Sequence, residues 1–256
     1  MVFFTDRAIE FNNLLLDYYG YKEENIYLLL TTDTFSGESY NDIKDRECNL
    51  ENIEWAINEI ASKSRKFDEV IIWYFAHGNI DIIVCGEGGT NLLTASHFDS
   101  LLDKITSNEM YVFIEACNSG SFLDDLEEYN RLIFTSCKED EESYGYLVSA
   151  INEGLTYTTY GYPYYYSESH DYLFGYEHFN DGDKYFQADL KREGNRDGHV
   201  SMYELWQFAN DEAIDFMNEN NQNTHPQIWV GNKFFIDYNP YDSIKYWYIN
   251  DGYVNI

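Results

Sequence analysis

Basic residues are scarce in this sequence. Its 256 residues include 16 Lys and Arg against 46 Asp and Glu, a formal net charge of −30. Affinity for phosphate backbones comes mainly from Lys and Arg, so the balance argues against nucleic acid as a partner. It argues equally against docking on anionic membranes. Cations, metal ions and basic peptides are the partners that suit such a charge. Apolar runs are short: Val70–Ala76 is among the longest, far below the roughly 20 residues that cross a bilayer, so no membrane span is expected. The opening Met1-Val-Phe-Phe-Thr-Asp lacks a basic segment followed by a long apolar one, so no signal peptide is visible. The compartment stays open, with the cytoplasm slightly favoured. The four cysteines, Cys48, Cys85, Cys117 and Cys137, are widely spaced, with no Cys-x-x-Cys pair. That spacing gives no support to a zinc ribbon or a disulfide framework and points to free thiols. The three prolines are isolated and mark no linker.

What is present is apolar and aromatic. The 44% hydrophobic and 18% aromatic fractions, with 25 Tyr, are enough to bury a core and argue against disorder. The length fits a single α/β domain over residues 1–256. Helix-period stretches alternate with short apolar runs for about the first 155 residues, the pattern of βαβ units around a parallel sheet. Helical faces are expected over Asp6–Tyr19 (Ala8, Phe11, Leu14, Leu15, Tyr18) and Leu50–Ser64 (Ile53, Ala56, Ile57, Ile60, Ala61). Buried strands are expected at Asn25–Thr31, Glu69–Ala76, Met110–Ala116 and Arg131–Cys137. Ile80–Gly86 reads as a shorter extended segment. Ser96 with Asp99 resembles a cap ahead of a helix at Phe98–Ile105, and another helix is expected from about Ser143 to Glu153. Leu155–Phe186 carries nine Tyr and no clear period, and reads as long surface loops. A helix to about Asn218 and a strand at Ile228–Ile236 follow.

Two strand ends carry chemistry. Glu69–Ala76 ends at His77-Gly78, and Met110–Ala116 ends at Cys117. Ligand sites in parallel sheets lie outside the carboxyl ends of the strands. Neighbouring parallel strands would therefore present His77 and Cys117 side by side. Nucleophilic catalysis by cysteine needs a reactive thiol, a histidine within reach and donors for the developing oxyanion. The backbone N–H groups of Gly78 and Cys117 are the candidate donors. Cys85 and Cys137 read as core thiols, and His225 before Pro226 as structural.

The pair of motifs, 40 residues apart, resembles the caspase/legumain clan of cysteine peptidases. FIEACNSGSF (Phe113–Phe122) is especially similar to the legumain family. DEVIIWYFAHG (Asp68–Gly78), TSCKEDEESYG (Thr135–Gly145) and HPQIWVGNKFFI (His225–Ile236) look like microbial members of it. The resemblance implies a caspase-like three-layer fold, a mostly parallel central sheet flanked by helices. It implies Cys117 as nucleophile and His77 as proton-transfer partner, with Glu115 and Ser143 lining the pocket for the residue before the cleaved bond (P1), Asn or Asp by family habit. The substrate would be a peptide or protein, and catalysis would need no cofactor. The family normally opens with a strand ahead of the first helix, for which Met1-Val-Phe-Phe is too short. The same dyad would also serve a transpeptidase or ligase.

One acidic segment has calcium-loop spacing. In Glu193–Glu204 the ligand positions fall on Glu193, Asn195, Asp197, His199 through its carbonyl, Ser201 and Glu204, with Gly198 at the turn. Position 1 is Glu where Asp is usual. Ca2+ is the expected ion, and the plainer reading is a solvated turn that caps the next helix. A catalytically silent, calcium-binding interaction module is the alternative from another class.

Overall fold

The computed structural model describes residues 2–31, 45–86, 89, 91–158, 185–186, 188, 200–220 and 222–231. The expected Tyr-rich loops and the first four positions of the calcium-loop candidate (Glu193, Asn195, Asp197, His199) lie outside the described residues, except for their edges.

Among the described residues, a four-stranded sheet organises the fold. Its strands are β3 (Glu69–Phe75), β7 (Glu109–Glu115), β8 (Arg131–Thr135) and β11 (Gln227–Val230), in the order β11-β8-β7-β3. β3, β7 and β8 run parallel and β11 antiparallel, so the sheet is mostly parallel as expected. The last strand is seen over Gln227–Val230, while 232–236 lie outside the described residues.

The twofold alternation of strand side chains splits the core into two layers. On β7, Tyr111 and Phe113 face one cluster, while Met110, Val112 and Ile114 face the other. The first layer is closed by α1 (Val2–Asp17), α5 (Tyr146–Leu155) and α6 (Met202–Asn220) through residues such as Phe11, Leu15, Ile151, Leu205 and Phe208. The second is closed by α2 (Leu50–Lys63), α3 (Ala95–Leu102) and α4 (Leu123–Leu126) through Ile53, Ile57, Phe98, Leu101 and Leu126. Each such side chain contributes about 1.5–3 kcal/mol on burial. Helices on both faces of the sheet give the three-layer α/β architecture of caspase-like proteins.

Local chemistry sets the helix ends. Asn49 caps α2, its side chain accepting from the Asn52 N–H at 2.9 Å. Thr94, not Ser96, caps α3, accepting from the His97 N–H at 3.2 Å. The helix thus starts at Ala95, earlier than the spacing of Ser96 and Asp99 indicates. α5 starts at Tyr146 rather than Ser143, because Gly145 takes a left-handed φ of 83°. Arg131, 1% exposed, clasps α3 to the sheet through Asp99 and Asp103, each at 2.7 Å.

Two expectations change. Asn25–Thr31 is mostly not strand. A 3-10 turn covers Glu23–Asn25, and only β1 (Leu29–Leu30) pairs, with the two-residue β2 (Arg46–Glu47). That short polar partner leaves Leu28 and Leu29 half-covered. The segment after His77 is a separate antiparallel sheet of β4 (Gly78–Asn79), β5 (Ile82–Val84) and β6 (Leu92–Thr94). Asp81, at a left-handed φ of 56°, makes its first turn. A pair of short strands, β9 (Tyr157–Thr158) and β10 (Tyr185–Phe186), is antiparallel. A cavity of about 1280 Å³ lies between β1, β3, α1 and α2. His77, Glu115, Cys117 and Ser143 do not line it. Among the described residues, no helix is long and apolar enough to cross a membrane.

Candidate active site

The register of two strands brings His77 and Cys117 to the same end of the sheet. β3 and β7 pair without a bulge from Glu69↔Glu109 to Phe75↔Glu115, and the ladder continues one step through Ala76 N–H to the Glu115 carbonyl at 3.1 Å. Two residues beyond this last pair stand His77 and Cys117. Ala76 and Ala116 both pack into the second layer. Cys117 Sγ lies beside Ser143, just ahead of α5. His77 is exposed and Cys117 half-buried at the carboxyl edge of the sheet, where parallel sheets place their ligand sites.

Gly78 lets the two strand ends meet. A Cβ there would lie 2.5 Å from the Cys117 carbonyl oxygen and 2.9 Å from Ala116 Cβ, so any side chain would push the His77 strand off the Cys117 strand. Gly78 thus packs directly against the backbone of Cys117. The His77 carbonyl is tied to β5 through the Val84 N–H at 2.9 Å.

Behind Cys117 the chain turns sharply. Asn118 has φ 60° and ψ 20°, the left-handed conformation that Asn tolerates better than most residues, and a 3-10 turn follows over Ser119–Phe122. The buried Ser119 hydroxyl accepts from the Ser136 N–H at 3.1 Å and the Cys137 N–H at 3.3 Å. Ser136 Oγ accepts from the Ala116 N–H at 3.2 Å. These bonds brace the end of β7 against the end of β8. Ser121 Oγ accepts from the Asp81 N–H at 2.8 Å and joins this turn to the small sheet.

Across the sulfur lies the turn Lys138–Gly145. The Ser143 N–H donates to Cys117 Sγ at 3.4 Å, and Sγ lies 3.9 Å from the Ser143 carbonyl. Glu115 sits behind Ser143 at 1% exposure. Its carboxylate accepts from the Ser143 hydroxyl, and from the N–H groups of Gly145 and Val148 at 3.2 Å each. Gly145 offers no capping side chain to α5, so Glu115 caps the helix from the neighbouring strand. Burial pushes its carboxyl up to about 7, against the pull of these donors.

The other end of the turn is held by Glu141. Its backbone carbonyl accepts from the Asn118 N–H at 2.9 Å. Its carboxylate accepts from the His225 N–H at 2.9 Å and lies 2.6 Å from His225 Nδ1. His225 is thus structural, as its place before Pro226 indicates. Glu139, Asp140 and Glu142 of the same turn are exposed beside the site. Cys85 and Cys137 are both fully buried core thiols. Asn118, Ser119, Ser136 and Glu141 escape a reading of the sequence; the polar run after the Cys117 strand is its nearest signal.

Of the calcium-loop candidates, Ser201 and Glu204 are described. Ser201 Oγ accepts from the Glu204 N–H at 3.2 Å, and Glu204 Oε2 accepts from the Ser201 N–H at 2.8 Å and the Ser201 hydroxyl at 2.7 Å. The two form a reciprocal capping box on α6.

Similarity to known proteins agrees with this geometry. An alignment over 127 positions that covers 44% of the chain is 26% identical to Metacaspase-4 of Arabidopsis thaliana. The match spans 28% of that protein's length. The model of the Peptidase C13 family matches residues 49–180, more than half of the chain and inclusive of His77, Glu115, Cys117 and Ser143. The fold, the two strand ends and these likenesses support a cysteine peptidase, and the chain belongs to the Peptidase C13 family.

Proposed function

We propose that this chain is a cysteine endopeptidase in which Cys117 attacks the substrate carbonyl and His77 moves the protons. The observation that supports this reading is the in-register parallel pairing of β3 with β7, whose carboxyl ends lead to His77 and Cys117 at one sheet edge. Cys117 Sγ, as thiolate, adds to the carbonyl carbon of the cleaved bond, and the oxygen takes the negative charge. The N–H groups of Gly78 and Cys117 are the donors for that oxygen. Collapse breaks the C–N bond, His77 protonates the leaving amine, and a thioester on Cys117 is left. His77 then takes a proton from water, the hydroxide adds to the thioester, and collapse frees the acid and the Cys117 thiolate.

Ser143 is half-buried and walls the P1 pocket, with Glu115 behind it. Resemblance points to Asn or Asp at P1. The exposed Glu139, Asp140 and Glu142 would attract basic residues elsewhere in the peptide.

Ca2+ is the ion that Glu193–Glu204 would hold, through oxygen donors from Glu193, Asn195, Asp197, the His199 carbonyl, Ser201 and Glu204. Of this set Ser201 and Glu204 meet in the capping box at the start of α6. The bound ion would order that loop. Calorimetric titration with calcium tests it: micromolar to submillimolar binding lost in Glu204→Gln is expected, and no heat at millimolar calcium contradicts it.

A fluorogenic peptide library varied at P1, run with the wild type and His77→Ala in the presence and absence of calcium, tests the peptidase reading. Selective turnover that falls at least about 10²-fold in His77→Ala is expected. Equal turnover by both proteins on every peptide overturns the role of His77.

A further inference from the structure

Ser143 brackets the nucleophile with its backbone. Its N–H donates to Cys117 Sγ at 3.4 Å, while its hydroxyl points the other way, to Glu115. Ser143 belongs to a turn with exposed Lys138, Glu139, Asp140 and Glu142. Glu115 reaches that turn twice, at the Ser143 hydroxyl and the Gly145 N–H, and the first turn of α5 once, at the Val148 N–H. A strand residue two positions before Cys117 thus holds the segment that meets the Cys117 sulfur.

We infer that Glu115 is a positioning residue for the nucleophile: its buried carboxylate fixes the Ser143–Gly145 turn so that the Ser143 N–H is aimed at Cys117 Sγ. It touches no reacting atom and acts through Ser143. An N–H aimed at sulfur favours the thiolate over the thiol, and the thiolate is the reactive form. The inference rests on Cys117 being the reacting thiol of the proposed peptidase.

Geometry also makes the device sensitive to pH. An ionised Glu115 offers both oxygens to its three donors. A protonated Glu115 gives one of those positions to its own proton and loosens its hold on Ser143. Burial places this change near pH 7. The ionisable groups acting on Glu115 from neighbouring elements are Cys137, after β8, and Tyr146, on α5. Burial pushes both upward, so both stay protonated where Glu115 changes. Cys117 and His77 follow on the two strands.

The test is the rate at which iodoacetamide alkylates Cys117 between pH 5 and 9, followed by mass spectrometry of its peptide. It is run on the wild type, Glu115→Gln and Ser143→Ala, with the melting temperature of each recorded. The wild type is expected to show a step near pH 7, about tenfold in rate, beyond what thiol ionisation alone gives. Glu115→Gln should lose the step, and Ser143→Ala, with the charge intact but the link cut, should reduce it severalfold. A wild-type profile fitted by thiol ionisation alone overturns the inference. A step that survives in Glu115→Gln, or is undiminished in Ser143→Ala, overturns it too. If Glu115→Gln fails to fold, Ser143→Ala still decides. Alkylation needs no peptide turnover, so a protein inert toward peptides that keeps the step refutes the peptidase reading alone.

Discussion

Glu115 and Glu141 hold opposite ends of one turn, yet their surroundings drive them in opposite directions. Glu115 is almost wholly buried, and desolvation outweighs the hydrogen bonds it accepts and raises its carboxyl to about 7. Glu141 also pays some desolvation. The N–H groups of Lys138 and His225 and the His225 ring nevertheless hold it below the ordinary carboxylate range. The acidic end at His225 therefore stays ionised at neutral pH, and the end at Ser143 changes charge there. Two glutamates with one structural task differ because one sits inside the core and the other at its rim. The strand ends that carry His77 and Cys117 are held differently again, by backbone pairing and buried serine hydroxyls. A rigid ladder of strand ends thus faces a turn held at its two ends by two unlike carboxylates.

Substitutions sharpen this contrast, and the largest effect falls on the ladder. Gly78→Ala would place a methyl group 2.5 Å from the Cys117 carbonyl. We expect a loss of about 1–3 kcal/mol in chemical denaturation and a fall of about 10²-fold in kcat/KM, since misplacement near 1 Å has that cost. Unchanged stability and turnover would mean that the two strand ends are not held in contact.

The next effect belongs to Glu115 and has a definite sign. A carboxyl raised from 4.5 to about 7 on folding binds more protons in the folded than in the unfolded state between those values. Its contribution to stability is therefore fully present below pH 4.5 and is lost as pH rises through 7. The size is about 3 kcal/mol at most. Glu115→Gln removes the effect, so the stability difference between wild type and variant should drift against the wild type from pH 4.5 to pH 8. A flat difference contradicts a buried, titrating Glu115.

The smallest effect is expected at the rim. Because the Glu141 carboxyl is lowered on folding, its contribution is present above the unfolded value, near 4.5, and is lost as pH falls below that. His225→Ala should weaken this acid-side dependence and shift stability at pH 7 by no more than about 1 kcal/mol. A larger loss than in Glu115→Gln would reverse the comparison.

The parallel pairing of the strands that lead to His77 and Cys117 was legible because each is a continuous apolar run, and a parallel sheet brings such ends to one edge. The inward faces of α1 and α2 were legible for a similar reason, since helical period alone selects Phe11, Leu14 and Leu15, or Ile53, Ala56 and Ile57. What escaped depends on long-range contact or on short elements. Glu141 meets His225 across 84 positions, with no local pattern to mark it. Glu115 and Ser143 entered only through family resemblance, since a lone Glu in an apolar strand does not show which helix it caps. The small sheet after His77 consists of two- and three-residue strands, too brief to show a period. The Leu28–Leu30 run reads as a buried strand, yet only Leu30 is deeply buried, because its partner β2 is short and polar.

Peptide turnover by the wild type beside Cys117→Ala tests the central claim most directly. The account predicts cleavage of at least one peptide by the wild type, and a fall to the uncatalysed background in Cys117→Ala, about 10³-fold or more, with the melting temperature unchanged. Equal turnover of every peptide by the two proteins would contradict it.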